Sequence, residues 1–190
     1  TVKTINQFAI ANLNGGSGSA SGALSVSGTK ITVTNYYACS TSKTFRQLVP
    51  NAHAGRYTIL FDLSTNREFA SGFASGAVAV VDGAGSLYLS SSSFTSGGAK
   101  SNTFTMTEER LDGNVFFYGI GQEGATVSWT NLMIIEGDVT SAPPAYSPYF
   151  KGLKNAYFQK IVSTGRNLVP YPYAETTKTA NGVTFTVNAD

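Results

Sequence analysis

The run Thr126-Val-Ser-Trp-Thr-Asn-Leu-Met-Ile-Ile135 decides the fold class. It is rich in β-branched and apolar residues and lacks helical spacing, so it reads as a β-strand. Strict alternation puts Val127, Trp129, Asn131 and Met133 on one face, with Leu132 and Ile134 on the other. Both faces then carry apolar residues, the mark of a central strand covered on two sides. The second face either lies under a loop or lines a groove.

Downstream, Glu136-Gly-Asp leads into Ala142-Pro-Pro-Ala-Tyr-Ser-Pro-Tyr-Phe150. Proline fixes an extended backbone here. Tyr146, Tyr149, Phe150, Tyr157, Phe158, Tyr171 and Tyr173 suit a strap that packs on its own domain or on a neighbour. The stretch 163–173 then opens a new unit, whose alternating run Gly182-Val-Thr-Phe-Thr-Val-Asn188 is a further strand. The expected organisation is an N-terminal segment or end of a preceding module over 1–28, a β domain over 29–140, a Pro/Tyr-rich strap and linker over 141–174, and the start of a following β repeat over 175–190.

Upstream, period-two alternation recurs between Gly, Ser and Asn punctuation. It predicts strands over 31–36, 44–49, 57–63, 77–81, 86–89, 102–106 and 114–118, besides 126–135. About eight short antiparallel strands with turn signals between them describe a β-sandwich or jelly roll. Within 57–63, Tyr57, Ile59, Phe61 and Leu63 face one way, and Thr58, Leu60 and Asp62 the other. Ile31 and Val33 face inward, as do Phe104 and Met106. The Gly/Ser run 14–22 predicts a flexible loop. Thr107-Glu-Glu-Arg-Leu-Asp-Gly113 predicts one helical turn capped by Thr107 and stopped by Gly113.

Hydrophobic residues make up 42% of the 190-residue chain, enough for a packed core, whereas only 13% are charged. Hydroxyls and amides must therefore wet the surface. The net charge of +2, with no dense Lys/Arg stripe, argues against nucleic-acid binding. The apolar runs are strand-length, so membrane insertion by a helix is not expected. The lone cysteine, Cys39, forms no internal disulfide and reads as a buried thiol.

Signals for catalysis are poor. The sole histidine, His53, lies in a loop with no carboxylate or nucleophile recognisable beside it. The eleven acids are scattered; Asp62, mid-strand on a polar face, reads as a hydrogen-bonded or rim residue. Sugar recognition needs aromatic faces with amides and guanidinium at the rim. The candidate ligand-binding residues are Trp129 on the two-faced strand, Tyr36, Tyr88 and Tyr118 on strand faces away from the core, and Arg46 and Asn131 for polar contacts, with Gln47 beside them.

Three stretches carry a family resemblance: Ala54-Gly-Arg-Tyr-Thr-Ile-Leu-Phe-Asp-Leu-Ser64, Thr105-Met-Thr-Glu-Glu-Arg-Leu-Asp-Gly113 and Trp129-Thr-Asn-Leu-Met-Ile-Ile-Glu-Gly137. They resemble the jelly-roll modules of phage tail and prophage minor structural proteins, which are similar in fold to carbohydrate-binding modules. Tyr146-Ser-Pro-Tyr-Phe-Lys-Gly-Leu153 resembles their exit segment, and Ser163-Thr-Gly-Arg-Asn-Leu168 the start of a following repeat. The resemblance implies a non-enzymatic module of a tail fibre or baseplate, in a virion or extracellular. Its expected partners are a bacterial surface glycan and neighbouring modules or subunits, in a homo-oligomer or otherwise. It also implies that Glu136, Asp138 and Asp62 are candidate ligands for a structural calcium; no other cofactor is expected. The competing readings are a spacer without ligand and an accessory module of a secreted glycan-active enzyme.

Overall fold

The computed structural model describes residues 5–18, 22–35, 37–69 and 74–149, together with the backbone pairing of Lys178–Ala180 and Val183–Phe185. The chain divides into two compact units, Thr1–Phe150 and Lys151–Asp190.

The first unit is all-β. Its strands are β1 (Gly16–Ser17), β2 (Ala23–Ser27), β3 (Lys30–Thr34), β4 (Ala38–Thr44), β5 (Gly55–Thr65), β6 (Val78–Asp82), β7 (Gly85–Tyr88), β8 (Gly98–Met106), β9 (Asn114–Tyr118) and β10 (Thr126–Glu136). A single helical turn, α1 (Phe45–Leu48), and two 3-10 turns, Ile10–Asn12 and Glu108–Arg110, complete it. The strands form one antiparallel sheet in the order β7-β6-β9-β4-β1-β2-β3-β10-β5-β8. In the second unit, β11 (Lys178–Ala180) pairs antiparallel with β12 (Val183–Phe185).

The long sheet curls over a single main core. Trp129 of β10 and Phe117 of β9 meet edge to face, ring centroids 5.0 Å apart. The edges also approach: Asn102 of β8 donates its side-chain amide to the Leu89 carbonyl, just past β7, at 3.0 Å. The alternation within β5 holds, with Tyr57, Ile59, Phe61 and Leu63 in the main core and Leu60 in a separate cluster. Ile31, Val33, Phe104 and Met106 are buried as expected.

Three local expectations fail, and two strands go unforeseen, for identifiable reasons. The stretch 44–49 is not a strand, because Thr44 ends β4 and Phe45–Leu48 turns helically. The Thr44 hydroxyl accepts from the Gln47 amide at 3.3 Å, while the Gln47 side chain accepts from the Thr44 amide at 2.9 Å, a reciprocal capping box. Residues 14–22 are not wholly loop, since Gly16–Ser17 pairs with both β2 and β4. A Cβ on Gly16 would run into the Ser40 carbonyl, so the close approach of these strands requires glycine there. Strands β2 and β4 escape sequence reading because Ser and Thr fill their outward positions and little but Leu24, Cys39 and Thr41 is buried. Finally, the Thr107 side chain caps nothing; its carbonyl accepts from the Arg110 amide at 3.1 Å.

The correction that matters most lies in β10. Thr130 pairs with Asp62 but Met133 pairs with Leu60, so β10 carries one extra residue at a bulge. Asn131 sits in it at φ 56°, a left-handed conformation that asparagine tolerates better than most residues. The bulge reverses the alternation beyond it. Leu132 and Ile134 therefore join Val127 and Trp129 in the main core, while Met133 and Ile135 turn to the opposite face.

Candidate functional site

The second face of β10 and β5 holds a small apolar cluster of Leu60, Met133 and Ile135, all buried. Such a patch needs cover, and the chain leaving β10 supplies it: Val139 and Tyr146 pack against the cluster. The cover is tied down by hydrogen bonds. The Gly137 amide donates to the Arg56 carbonyl at 2.7 Å, and the Thr58 hydroxyl donates to the Gly137 carbonyl at 2.7 Å while accepting from the Val139 amide at 3.1 Å. Farther along, the Ser147 amide approaches the Met133 sulfur at 3.3 Å, and the Asn6 side-chain amide donates to the Ser147 carbonyl at 2.9 Å. The two readings left open for this face are thus both realised, for the cover is partial and a cleft remains beside it.

That cleft measures ≈ 200 Å³. Leu60 and Met133 form its floor, and Pro143, Pro144 and Tyr146 its wall. Asp62, Ser101 and Asn131 bring a carboxylate, a hydroxyl and an amide to the same space. Strand pairing explains the convergence: Thr130 stands opposite Asp62, Met133 opposite Leu60, and Leu60 opposite Ser101. The bulge adds Asn131 to this row. No described residue hydrogen-bonds or ion-pairs with the exposed Asp62 carboxylate. Lys100 also borders the cleft, but its ammonium lies 5.4 Å from the centre of the Phe94 ring and 3.5 Å from the Ser96 hydroxyl. An apolar floor, an aromatic wall and a few polar groups are the usual makings of a small-ligand site. The volume falls below the roughly 300 Å³ at which drug-sized pockets begin, so it admits one ring-sized group.

The other sequence-predicted residues are dispersed. Trp129 is fully buried, and its indole N–H donates to the Gly76 carbonyl at 2.8 Å. It is a core residue and cannot face a groove ligand. Tyr88 and Tyr118 do meet, with centroids 6.0 Å apart and planes at 47°, on half-buried positions of β7 and β9. Burial, and then the neighbouring Tyr118, raises the Tyr88 hydroxyl above its ordinary pKa. Arg46 is engaged elsewhere, 3.0 Å from Glu108 and 3.2 Å from Asp112, and the hydrogen bonds of both acids hold its guanidinium charged. Its neighbour Gln47 is occupied by the capping box. Asn131 alone of the set lines the cleft; Tyr36, Tyr157, Phe158, Tyr171 and Tyr173 lie outside the described residues.

His53 has a carboxylate neighbour after all: its Nε2 lies 3.3 Å from Glu136. The pairing joins a loop to the end of β10 and is invisible in sequence. Tyr57, 3.4 Å from the other ring nitrogen, already donates to the His53 carbonyl at 2.9 Å and accepts from the His53 amide at 3.1 Å. This arrangement fastens the loop before β5. The three acids named for calcium do not converge. Glu136 meets His53, Asp138 meets Arg56 at 2.8 Å, and Asp62 stands in the cleft. Among the described residues, no three His, Cys, Asp or Glu side chains gather as a metal site.

Sequence reasoning treated Tyr146 only as strap, and gave Pro143, Pro144 and Ser101 no part. The two-faced strand was the available signal, since it demanded either a cover or a groove. No protein-family model matches the chain, and a search of curated proteins returns no match either.

Proposed function

We propose that the first unit is a non-catalytic carbohydrate-binding module, and that the cleft beside Tyr146 receives one sugar residue of a bacterial surface glycan. One observation carries this reading: an aromatic side chain, two prolines, a hydroxyl, an amide and an unpaired carboxylate border the same ring-sized space. A pyranose has an apolar face and a hydroxyl rim, and those groups complement both. The setting we propose is a phage or prophage tail protein, in which repeated copies raise weak single-site affinity. The sparsely charged, hydroxyl-rich sequence and the second compact unit support a modular, closely packed assembly of this kind.

The test is pull-down of bacterial envelope glycans by the bead-multimerised chain, beside Tyr146→Ala and Tyr88→Ala. Loss of binding in folded Tyr146→Ala, with Tyr88→Ala unaffected, supports the cleft. Retention in Tyr146→Ala and loss in Tyr88→Ala moves the site to the Tyr88–Tyr118 face. Absence of binding by the native chain favours the spacer, a reading that the well-anchored cover over Leu60 and Met133 also supports.

A further inference from the structure

Asp62 is the one carboxylate bordering the cleft, and nothing described neutralises it. Asp82 is matched with Arg110, Glu108 and Asp112 with Arg46, and Asp138 with Arg56, while Glu136 lies beside His53, a ring that is charged only when protonated. Of the two cations nearest in the sheet, Lys100 is turned toward Phe94 and Ser96. Lys30 is separated from Asp62 by Thr130, which pairs with both, so the two strands bearing them stand roughly 10 Å apart. The cleft therefore combines an apolar floor, an aromatic ring and a carboxylate that no described residue hydrogen-bonds or ion-pairs, with the Lys100 ammonium held at its border by neutral partners.

We infer that the cleft selects a sugar bearing a free, protonated amine over its N-acetylated or neutral counterpart. The inference rests on the proposed reading of the cleft as a sugar site and names the class of sugar. An ammonium meets Asp62 as a charge-assisted hydrogen-bond donor and can also lie against the Tyr146 ring. An acetamide removes the charge and adds bulk to a space already ring-sized. Because Asp62 is exposed, its pairing is partly screened, and the preference it confers is about fivefold.

The test is calorimetric titration of the full chain with glucosamine oligosaccharides and, separately, with N-acetylglucosamine oligosaccharides of equal length, for the native protein and Asp62→Asn. The expected result is tighter binding of the amine form than of the acetylated form by native protein, a preference that disappears in Asp62→Asn. The preference should also shrink at high salt, where the Debye length is about 3 Å. Equal or tighter binding of the acetylated form overturns the inference but leaves the sugar site standing, as does a preference retained in Asp62→Asn. Failure of both oligosaccharides to bind overturns the inference as well. The sugar reading itself falls only if the envelope-glycan pull-down is also negative.

Discussion

The indole N–H of Trp129 in β10 hydrogen-bonds the main-chain carbonyl of Gly76, the residue two before β6, at 2.8 Å. The bond crosses the core between halves of the sheet that are far apart in strand order. Gly76 lies at φ +77°, and a Cβ there would come within 2.9 Å of the Leu63 side chain. Trp129→Phe leaves a buried acceptor without its donor and opens a small void, and should cost at least about 2 kcal/mol. Gly76→Ala adds backbone strain to a clash and should also destabilise. Urea unfolding followed by circular dichroism checks both. A Trp129→Phe protein as stable as the native one would contradict the assignment of Trp129 to the core.

The capping box at Thr44 turns the chain out of β4 and seats Phe45 and Leu48 in the core. Thr44→Ala removes the acceptor for the Gln47 amide and should cost about 1 kcal/mol. Thr44→Ser keeps an acceptor and should recover most of that. The same unfolding measurement reads the difference.

Cys39 is fully buried, in register with Phe117, and burial raises its thiol pKa. Both features keep the reactive thiolate scarce and out of reach. A colorimetric disulfide reagent should label the native protein far more slowly than the unfolded protein. Rapid labelling of the native state would mean that β4 opens readily.

Asp138 accepts from the Thr140 hydroxyl at 2.7 Å and from the Thr140 amide at 3.1 Å, with Arg56 beside it. These contacts, those of Thr140 foremost, hold its pKa below the ordinary carboxylate value. The folded pKa is the lower one, so the contribution to stability is complete above the unfolded pKa of about 4 and vanishes as pH falls through the folded value. Thr140→Val should raise the Asp138 pKa toward the ordinary value and weaken this part of the acid sensitivity. Titration of the Asp138 carboxyl by NMR in both proteins reads the shift.

The long strands were legible because their alternation is driven by burial on one face. Tyr57, Ile59, Phe61 and Leu63 mark β5 without help from the rest of the chain. Strands β1, β2 and β4 were not, since their stability comes from pairing in the middle of the sheet and not from apolar side chains. The bulge at Asn131 shows the limit most clearly. Asparagine between Thr130 and Leu132 signals that alternation is interrupted, but it does not say which side the later residues take. That choice moved Leu132 into the main core and Met133 onto the cleft floor. The cleft itself depends on contacts between residues far apart in sequence, such as Met133 with Ser147 and Tyr146 with the Leu60, Met133 and Ile135 cluster, which local patterning cannot supply.

The central claim, that a sugar binds beside Tyr146, is tested most directly by amide NMR of the labelled chain titrated with soluble envelope oligosaccharides. The account predicts shifts concentrated at Leu60, Asp62, Ser101, Asn131, Met133 and Tyr146, and their loss in Tyr146→Ala. Shifts confined to the surroundings of Tyr88 and Tyr118, or no shifts with any glycan offered, would contradict it.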